Sequence, residues 1–295
     1  VTAARVEVEV EGRRLSLSNL DKVMYPAVGF TKGQLIDYYT RIAPHLLPHL
    51  RGRPLTLKRY PDGADGQFFY EKQCPSHRPE WVATAAIPTG SRTIDFCLAD
   101  DLPTLVWLAN LADLELHTSL SLAAEIERPT TMVFDLDPGA PAGLAECAEV
   151  ALALRELLER LSLSAFAKTS GSKGMQVYVP LNTDVTYDDT KPLAHAIARH
   201  LEGERPDLVV SSQRKSLRGG KVLIDWSQND EHKTTVCVYS LRAGERPTVS
   251  TPLEWGELED PGSLVFDSDD VLARVDEHGD LFAQVAETEQ ALPEI

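Results

Sequence analysis

The chain of 295 residues is poor in cysteine, with four at positions 74, 97, 147 and 237 and no C-x-x-C pair. That spacing argues against a structural zinc site and against a disulfide framework, and reduced, mostly buried thiols are the expectation. Cys74 and His77 do form a C-x-x-H, but no second ligand pair stands near it. Long apolar runs are also missing: no stretch of about eighteen apolar residues occurs, as a membrane span requires. The first residues alternate Val6, Val8, Val10 with Glu7, Glu9, Glu11 in place of a signal-peptide core. A soluble, unexported, cytoplasmic protein is therefore expected. G-x-x-x-x-G-K-[ST] is absent and no G-x-G-x-x-G follows a strand, which disfavours P-loop and Rossmann nucleotide sites. Basic side chains are scarce too, 29 against 45 acidic, for a net charge of −16.

That charge opposes nucleic-acid binding, because lysine and arginine supply the phosphate contacts. Its distribution qualifies the argument. Residues 1–60 hold ten basic and five acidic side chains, whereas 253–295 hold thirteen acidic and one basic, Arg274. An acidic surface that merely keeps the protein soluble explains the tail better than the basic front.

Apolar residues make up 43% of the chain, ample for one large domain or two intimately packed lobes. Thr31 and Gln34 form a capping box that opens a helix through Leu35, Ile36, Tyr39, Ile42 and Leu46. A strand at 6–10 precedes it. β-like runs follow at 54–59, 67–72 and 93–98, then a helix over 102–111 and a strand through Leu114, Leu116 and His117. From 131 the order is strand (132–136), helix (144–161), strands (165–168 and 176–179), helix (about 188–202), and strands near 208–211, 221–226 and 234–239. The reading is one mixed α/β (α+β) unit with an amino-terminal lobe over about 1–122, a catalytic lobe over about 123–250, and short acidic helices over 251–295.

Three segments carry chemistry. In T-M-V-F-D-L-D-P-G, residues 131–139, an apolar strand ends in Asp135 and Asp137. Alternation puts both on one face, roughly 6 to 7 Å apart at their Cα atoms, within reach of divalent ions spaced roughly 3.5 to 4 Å. Two carboxylates so placed repel unless a cation lies between them. Spacing alone is weak, since Asp267 and Asp269 form another D-x-D that reads as a solvated helix start. In K-V-L-I-D-W-S-Q-N, residues 221–229, a second apolar strand delivers Asp225, either as a third metal ligand or as a turn cap. In K-T-S-G-S-K-G, residues 168–174, Ser170, Ser172 and Lys173 surround Gly171 and Gly174, suited to a phosphate cradle or to a plain hairpin. Arg218, Lys221, Lys233 and Arg242 add the positive charge a triphosphate needs.

The succession F-D-L-D-P-G, T-S-G-S-K-G, S-L-R-x-G-K-V-x-x-D-W-S-Q-N, K-T-T and Y-S-L-R resembles the polymerase domain of bacterial ligase D, a branch of the archaeo-eukaryotic primase superfamily. The resemblance covers about 14–275 and includes L-S-N-L-D-K-V-M-Y-P, G-R-P-L-T-L-K-R-Y-P-x-G and F-Y-E-K-Q. It implies a primase-like fold of two packed mixed lobes around a central cleft. The activity implied is gap filling and end extension by two-metal nucleotidyl transfer in non-homologous end joining, often with ribonucleotides and best with manganese, magnesium being the other candidate. Implied partners are DNA ends or gaps with a 5′-phosphate, nucleoside triphosphates, a Ku-like end binder and a DNA ligase, in the cytoplasm near the nucleoid and away from membranes.

Carried over position by position, the resemblance gives the metals to Asp135, Asp137 and Asp225. It surrounds the incoming nucleotide with Ser170, Ser172, Lys173, Arg218, Gln228, Lys233 and Arg242, and sets His117 near the primer terminus and active centre. Asn19, Lys22 and Lys32 match a pocket for a downstream 5′-phosphate, and Phe69 and Tyr70 match template-stacking positions. Two departures stand out. Gln176 replaces a histidine in the family's K-G-L-H, leaving a neutral amide to donate to the triphosphate; Tyr70 replaces a phenylalanine and keeps the stacking face. Ligase chemistry is not expected, because no K-x-D-G occurs. A two-metal phosphohydrolase and a catalytically silent binder of 5′-phosphorylated ends are the alternatives.

Overall fold

The computed structural model describes residues 5–90 and 92–293. Contacts divide the chain into two compact units that are each discontinuous in sequence. One runs to Thr118 and regains Val236–Val249 and Asp267–Gly279; the other holds Ser119–Thr235, Ser250–Phe266 and the residues from Asp280 onward. Contiguous lobes were expected. The difference arises because the chain after Val236 returns to the amino-terminal sheet: Cys237 N–H donates to Leu116 O (2.9 Å), and Ser240 Oγ accepts from Leu116 N–H (2.9 Å).

In the first unit, β1 (Arg5–Val10) and β2 (Arg13–Ser18) form an antiparallel hairpin, and β3 (Val23–Tyr25) pairs with β4 (Phe30–Thr31). Helix α1 (Lys32–Leu50) starts at the expected capping box, with both Thr31 and Gln34 side chains engaged. Pro44 and Pro48 lie inside it. Each removes one helical N–H donor, and the helix persists because Leu35, Ile36, Tyr38, Tyr39, Ile42 and Leu46 are buried along one side. Strands β5 (Leu55–Arg59), β6 (Phe69–Glu71), β7 (Thr84–Thr89) and β8 (Arg92–Cys97) follow, then α2 (Leu102–Asn110) and β9 (Asp113–Thr118). Their order is β9-β5-β8-β7, with β6 against β5. β2 and β7 were not anticipated.

One expectation about cysteine is overturned. Cys74 and Cys97 form a disulfide, with Cα atoms 4.9 Å apart, while Cys147 and Cys237 are free and buried. The cause is local: β6 and β8 share one edge of β5, and Cys74 N–H donates to Asp95 O (2.6 Å), which brings the two thiols side by side.

The second unit is built on the antiparallel strands β10 (Thr131–Pro138), β11 (Phe166–Thr169), β12 (Met175–Pro180) and β14 (Val222–Asp225). Short strands β13 (Val209–Val210) and β16 (Pro252–Leu253) close the edges in the order β13-β14-β10-β12-β11-β16; β15 (Thr235–Val236) marks the passage between units in sequence. Helices α3 (Leu144–Arg160) and α4 (Tyr187–Glu204) share a core with Met132, Phe134, Leu136, Val177, Val179, Val222 and Ile224. These strand positions alternate, so Asp135, Asp137, Gln176 and Asp225 occupy the opposite face. Helix α5 (Ser268–His278), capped by Asp267, belongs to the first unit, and α6 (Ala283–Glu287) to the second. Among the described residues no helix is long and apolar enough to cross a membrane.

Candidate active site

Asp135 stands directly opposite Asp225 where β10 pairs with β14, and opposite Gln176 where β10 pairs with β12. Asp137 lies two residues on, on the same face. One carboxylate oxygen from each of Asp135, Asp137 and Asp225 lies within 4.8 Å of the others. Burial, then the neighbouring charges of Asp137 and Asp225, push the Asp135 carboxyl up to about 7. A divalent cation would relieve both effects, and an all-oxygen donor set suits magnesium or manganese. The residues present therefore fit a metal site.

The surrounding side chains hold the acids in place. Asp225 Oδ1 accepts from Gln213 Nε2 (2.8 Å), Ser227 N–H (3.0 Å) and Ser227 Oγ (2.6 Å), and its Oδ2 accepts from Gln228 Nε2 (3.0 Å). Asn229, fully buried, clasps Val133 with its amide: Val133 N–H donates to Oδ1 (2.9 Å) and Nδ2 donates to Val133 O (2.8 Å). This imitates a strand ladder beyond the last β10–β14 pair and keeps the turn after Asp225 against β10. Arg218 Nη2 donates to Gln213 O (2.7 Å) and Oε1 (3.0 Å), and Lys233 Nζ donates to Ser227 Oγ (2.6 Å).

The 170–174 turn joins β11 to β12 as a hairpin. Ser170 Oγ accepts from Ser172 N–H (3.3 Å) and Gly174 N–H (3.2 Å), while the side chains of Ser172 and Lys173 are exposed. Gln176, expected to offer its amide to the nucleotide, donates from Nε2 to Asp135 Oδ1 (3.0 Å); it is 3% exposed and faces the acid across the strand pair.

The remaining sequence candidates belong to the first unit. His117 Nε2 is 3.0 Å from Glu115 Oε2. Glu115 also accepts from Lys58 Nζ (3.0 Å), Tyr60 Oη (2.8 Å) and Ala243 N–H (3.2 Å), and forms an ion pair with Arg242, whose Nε lies 3.3 Å from Oε2. These partners outweigh burial and hold its carboxyl far below the usual carboxylate range, whereas burial lowers the His117 imidazole. An ionised carboxylate only accepts, so His117 Nε2 carries the proton that it directs at Glu115. Phe69 and Tyr70 are 43% and 57% exposed, with Phe68 beside them; Lys58 Nζ lies 4.6 Å from the Phe68 ring centroid. Tyr70 meets His117 edge-on at 5.9 Å.

Asn19, Lys22 and Lys32 come together at the start of α1. Lys22 N–H donates to Asn19 O (3.0 Å) and Lys32 N–H to Lys22 O (2.8 Å). Lys32 is buried, its Nζ donating to Ser18 O (2.7 Å), and burial with the charges of Lys22 and Arg59 lowers its ammonium to about 8. Lys22 pairs with Asp62 at 3.2 Å.

Sequence reasoning missed Glu115, Lys168, Gln213, Ser227 and Asn229. Lys168 opens K-T-S-G-S-K-G, and Ser227 and Asn229 lie in D-W-S-Q-N; no local pattern pointed to Glu115 or Gln213.

Residues 31–282 match the family model of the LigD primase-polymerase domain. The chain is 42% identical over 281 residues to the multifunctional non-homologous end joining DNA repair protein LigD of Mycobacterium tuberculosis, and 32% identical over 268 residues to the bifunctional non-homologous end joining protein LigD of Bacillus subtilis. Those alignments take in 92% and 90% of this chain but only 37% and 43% of the relatives, so it spans less than half their length. Among solved structures, the polymerase domain of Mycobacterium tuberculosis ligase D in complex with DNA superimposes with a TM-score of 0.88 at 41% identity, over 94% of this chain and 99% of that one.

Proposed function

Because the chain belongs to the LigD primase-polymerase family, we propose that Asp135, Asp137 and Asp225 are the metal ligands with which it extends a primer 3′ end at DNA gaps and breaks during non-homologous end joining. The family is one of nucleotidyltransferases, and the fold is that of the archaeo-eukaryotic primases. The observation that carries the assignment of residues is the meeting of three acids on adjacent antiparallel strands, on the sheet face that α3 and α4 leave free. The whole of 1–295 is read as one primase-polymerase domain.

Two divalent ions, manganese or magnesium, would lower the pKa of the primer hydroxyl and offset charge on the triphosphate and the departing pyrophosphate. The protein's own share is binding and orientation. Ser170, Ser172 and Lys173 offer hydroxyls and an exposed ammonium to the triphosphate, joined by Arg218, Gln228 and Lys233. The family resemblance gives Arg242 and His117 to the nucleotide as well, and both of these side chains meet Glu115. Asn19, Lys22 and Lys32 take a 5′-phosphate through side chains, since the first α1 amides already serve Lys22 O, Leu20 O and Thr31 Oγ1. Phe69 and Tyr70 stack on template bases. A Ku-like end binder and a DNA ligase are the partners this role implies.

A short-gap DNA bearing a downstream 5′-phosphate, supplied with ribo- or deoxynucleotides and manganese or magnesium, tests the proposal. Primer growth with pyrophosphate release is expected, and Asp135→Ala should abolish it while leaving DNA binding largely intact. Shortened DNA would indicate a phosphohydrolase, and undiminished addition by the variant would remove Asp135 from the metal site.

A further inference from the structure

Four polar residues line up as one rung across four adjacent strands: Lys168 on β11, Gln176 on β12, Asp135 on β10 and Asp225 on β14, each the register partner of the next. Residues directly opposite in antiparallel strands project to the same face. Lys168 Nζ donates to Gln176 Oε1 (2.6 Å), and Gln176 Nε2 donates to Asp135 Oδ1 (3.0 Å). Lys168 is fully buried, its ammonium also donating to Ser250 Oγ (2.6 Å), whose hydroxyl passes its own proton to Thr169 O (2.8 Å). An ammonium has no acceptor, so the amide must turn its oxygen to Lys168, which leaves its Nε2 for Asp135. The lysine thereby settles which end of Gln176 meets the acid.

The same arrangement recurs on the other side of the triad. Arg218 reaches Asp225 through the Gln213 amide, and Lys233 reaches it through the Ser227 hydroxyl. In each case a neutral group separates the cation from the carboxylate. An ammonium in direct contact would compete with a metal for the acid; an interposed amide orients the acid and leaves its other oxygen available.

We propose that Lys168 and Gln176 are positioning residues for Asp135, the lysine locking the glutamine amide and the amide fixing the Oδ1 end of the carboxylate. The inference rests on the reading of Asp135 as a metal ligand. It also gives a role to the glutamine that replaces the family histidine: Gln176 serves Asp135.

Manganese binding to the whole chain without nucleotide, followed by the loss of the free-ion paramagnetic resonance signal, tests this independently of activity. Gln176→Leu should weaken binding about 10- to 100-fold, the usual cost of losing a partner that orients a metal ligand. Gln176→His, which restores a donor, should recover most of it. Lys168→Met should weaken binding when Gln176 is present and change little in a Gln176→Leu background, because the lysine acts through the amide. Metal-free unfolding curves identify any variant that fails to fold, and the Leu-to-His comparison at 176 then decides alone. Wild-type affinity in folded Gln176→Leu, or an equal effect of Lys168→Met in both backgrounds, would overturn the relay. Asp135→Asn separates the two readings: if it binds manganese normally, the metal assignment itself fails; if it does not while Gln176→Leu does, only the relay falls.

Discussion

Glu115 gathers polar partners from the chain before it and the chain after it. Lys58, Tyr60, His117, Arg242 and the Ala243 amide all converge on a carboxylate that is 1% exposed. Glu115→Gln leaves those cations buried without their counter-charge, and a loss of about 3 kcal/mol is expected, read by urea unfolding at pH 7. The sign follows from the lowered carboxyl: its stabilisation is complete above the ordinary value of 4.5 and is lost as pH falls through the lower folded value, so the gap between variant and wild type should close in acid. Lys32 behaves oppositely. Its ammonium is held down to about 8, so the preference for a 5′-phosphorylated over a 5′-hydroxyl DNA end should be full near pH 7 and decline as pH rises through 8 and beyond. A bound phosphate shifts that decline upward. Lys32→Met should show a smaller preference that no longer changes over this range, measurable by fluorescence anisotropy with the two ends. Glu115 was illegible in the sequence because its importance lies in partners up to 128 residues away, whereas Lys32 was named only through the family resemblance.

At the scale of elements, the site depends on how closely β10 and β12 approach. A Cβ on Gly174 would lie 2.1 Å from Leu136 O, on the strand segment between Asp135 and Asp137. Gly174→Ala must therefore displace backbone from backbone, and a destabilisation of several kcal/mol, on the order of 3, is expected together with weaker manganese binding. Gly203, near the end of α4, has open space where its Cβ would be; Gly203→Ala should be neutral or stabilising by up to about 1 kcal/mol. Thermal unfolding of the two variants side by side checks the contrast. Strongly periodic elements such as α1, α3 and β10 were readable because burial repeats along them. The edge strands and short pairings, β2 and β7 among them, were not, since a few exposed residues look the same in a strand and in a loop.

For the molecule as a whole, the Cys74–Cys97 bond is the one covalent cross-link among the described residues, joining positions 23 apart. By loop-closure entropy it should contribute about 3 kcal/mol. Addition of a thiol reductant should lower the unfolding free energy by up to that amount, and the Cys74→Ala, Cys97→Ala double variant should be insensitive to reductant. The bond could not be read from spacing, because only the shared edge of β5 brings the two cysteines together. The same division holds for the site. Sequence alone determined the family, the order of the major elements and the three aspartates, because alternation along a strand and short motifs are local properties. Tertiary structure decided which acids share a rung, that the Gln176 amide meets Asp135, and that Glu115 gathers His117 and Arg242, because strand register and long-range packing choose partners that no local spacing specifies.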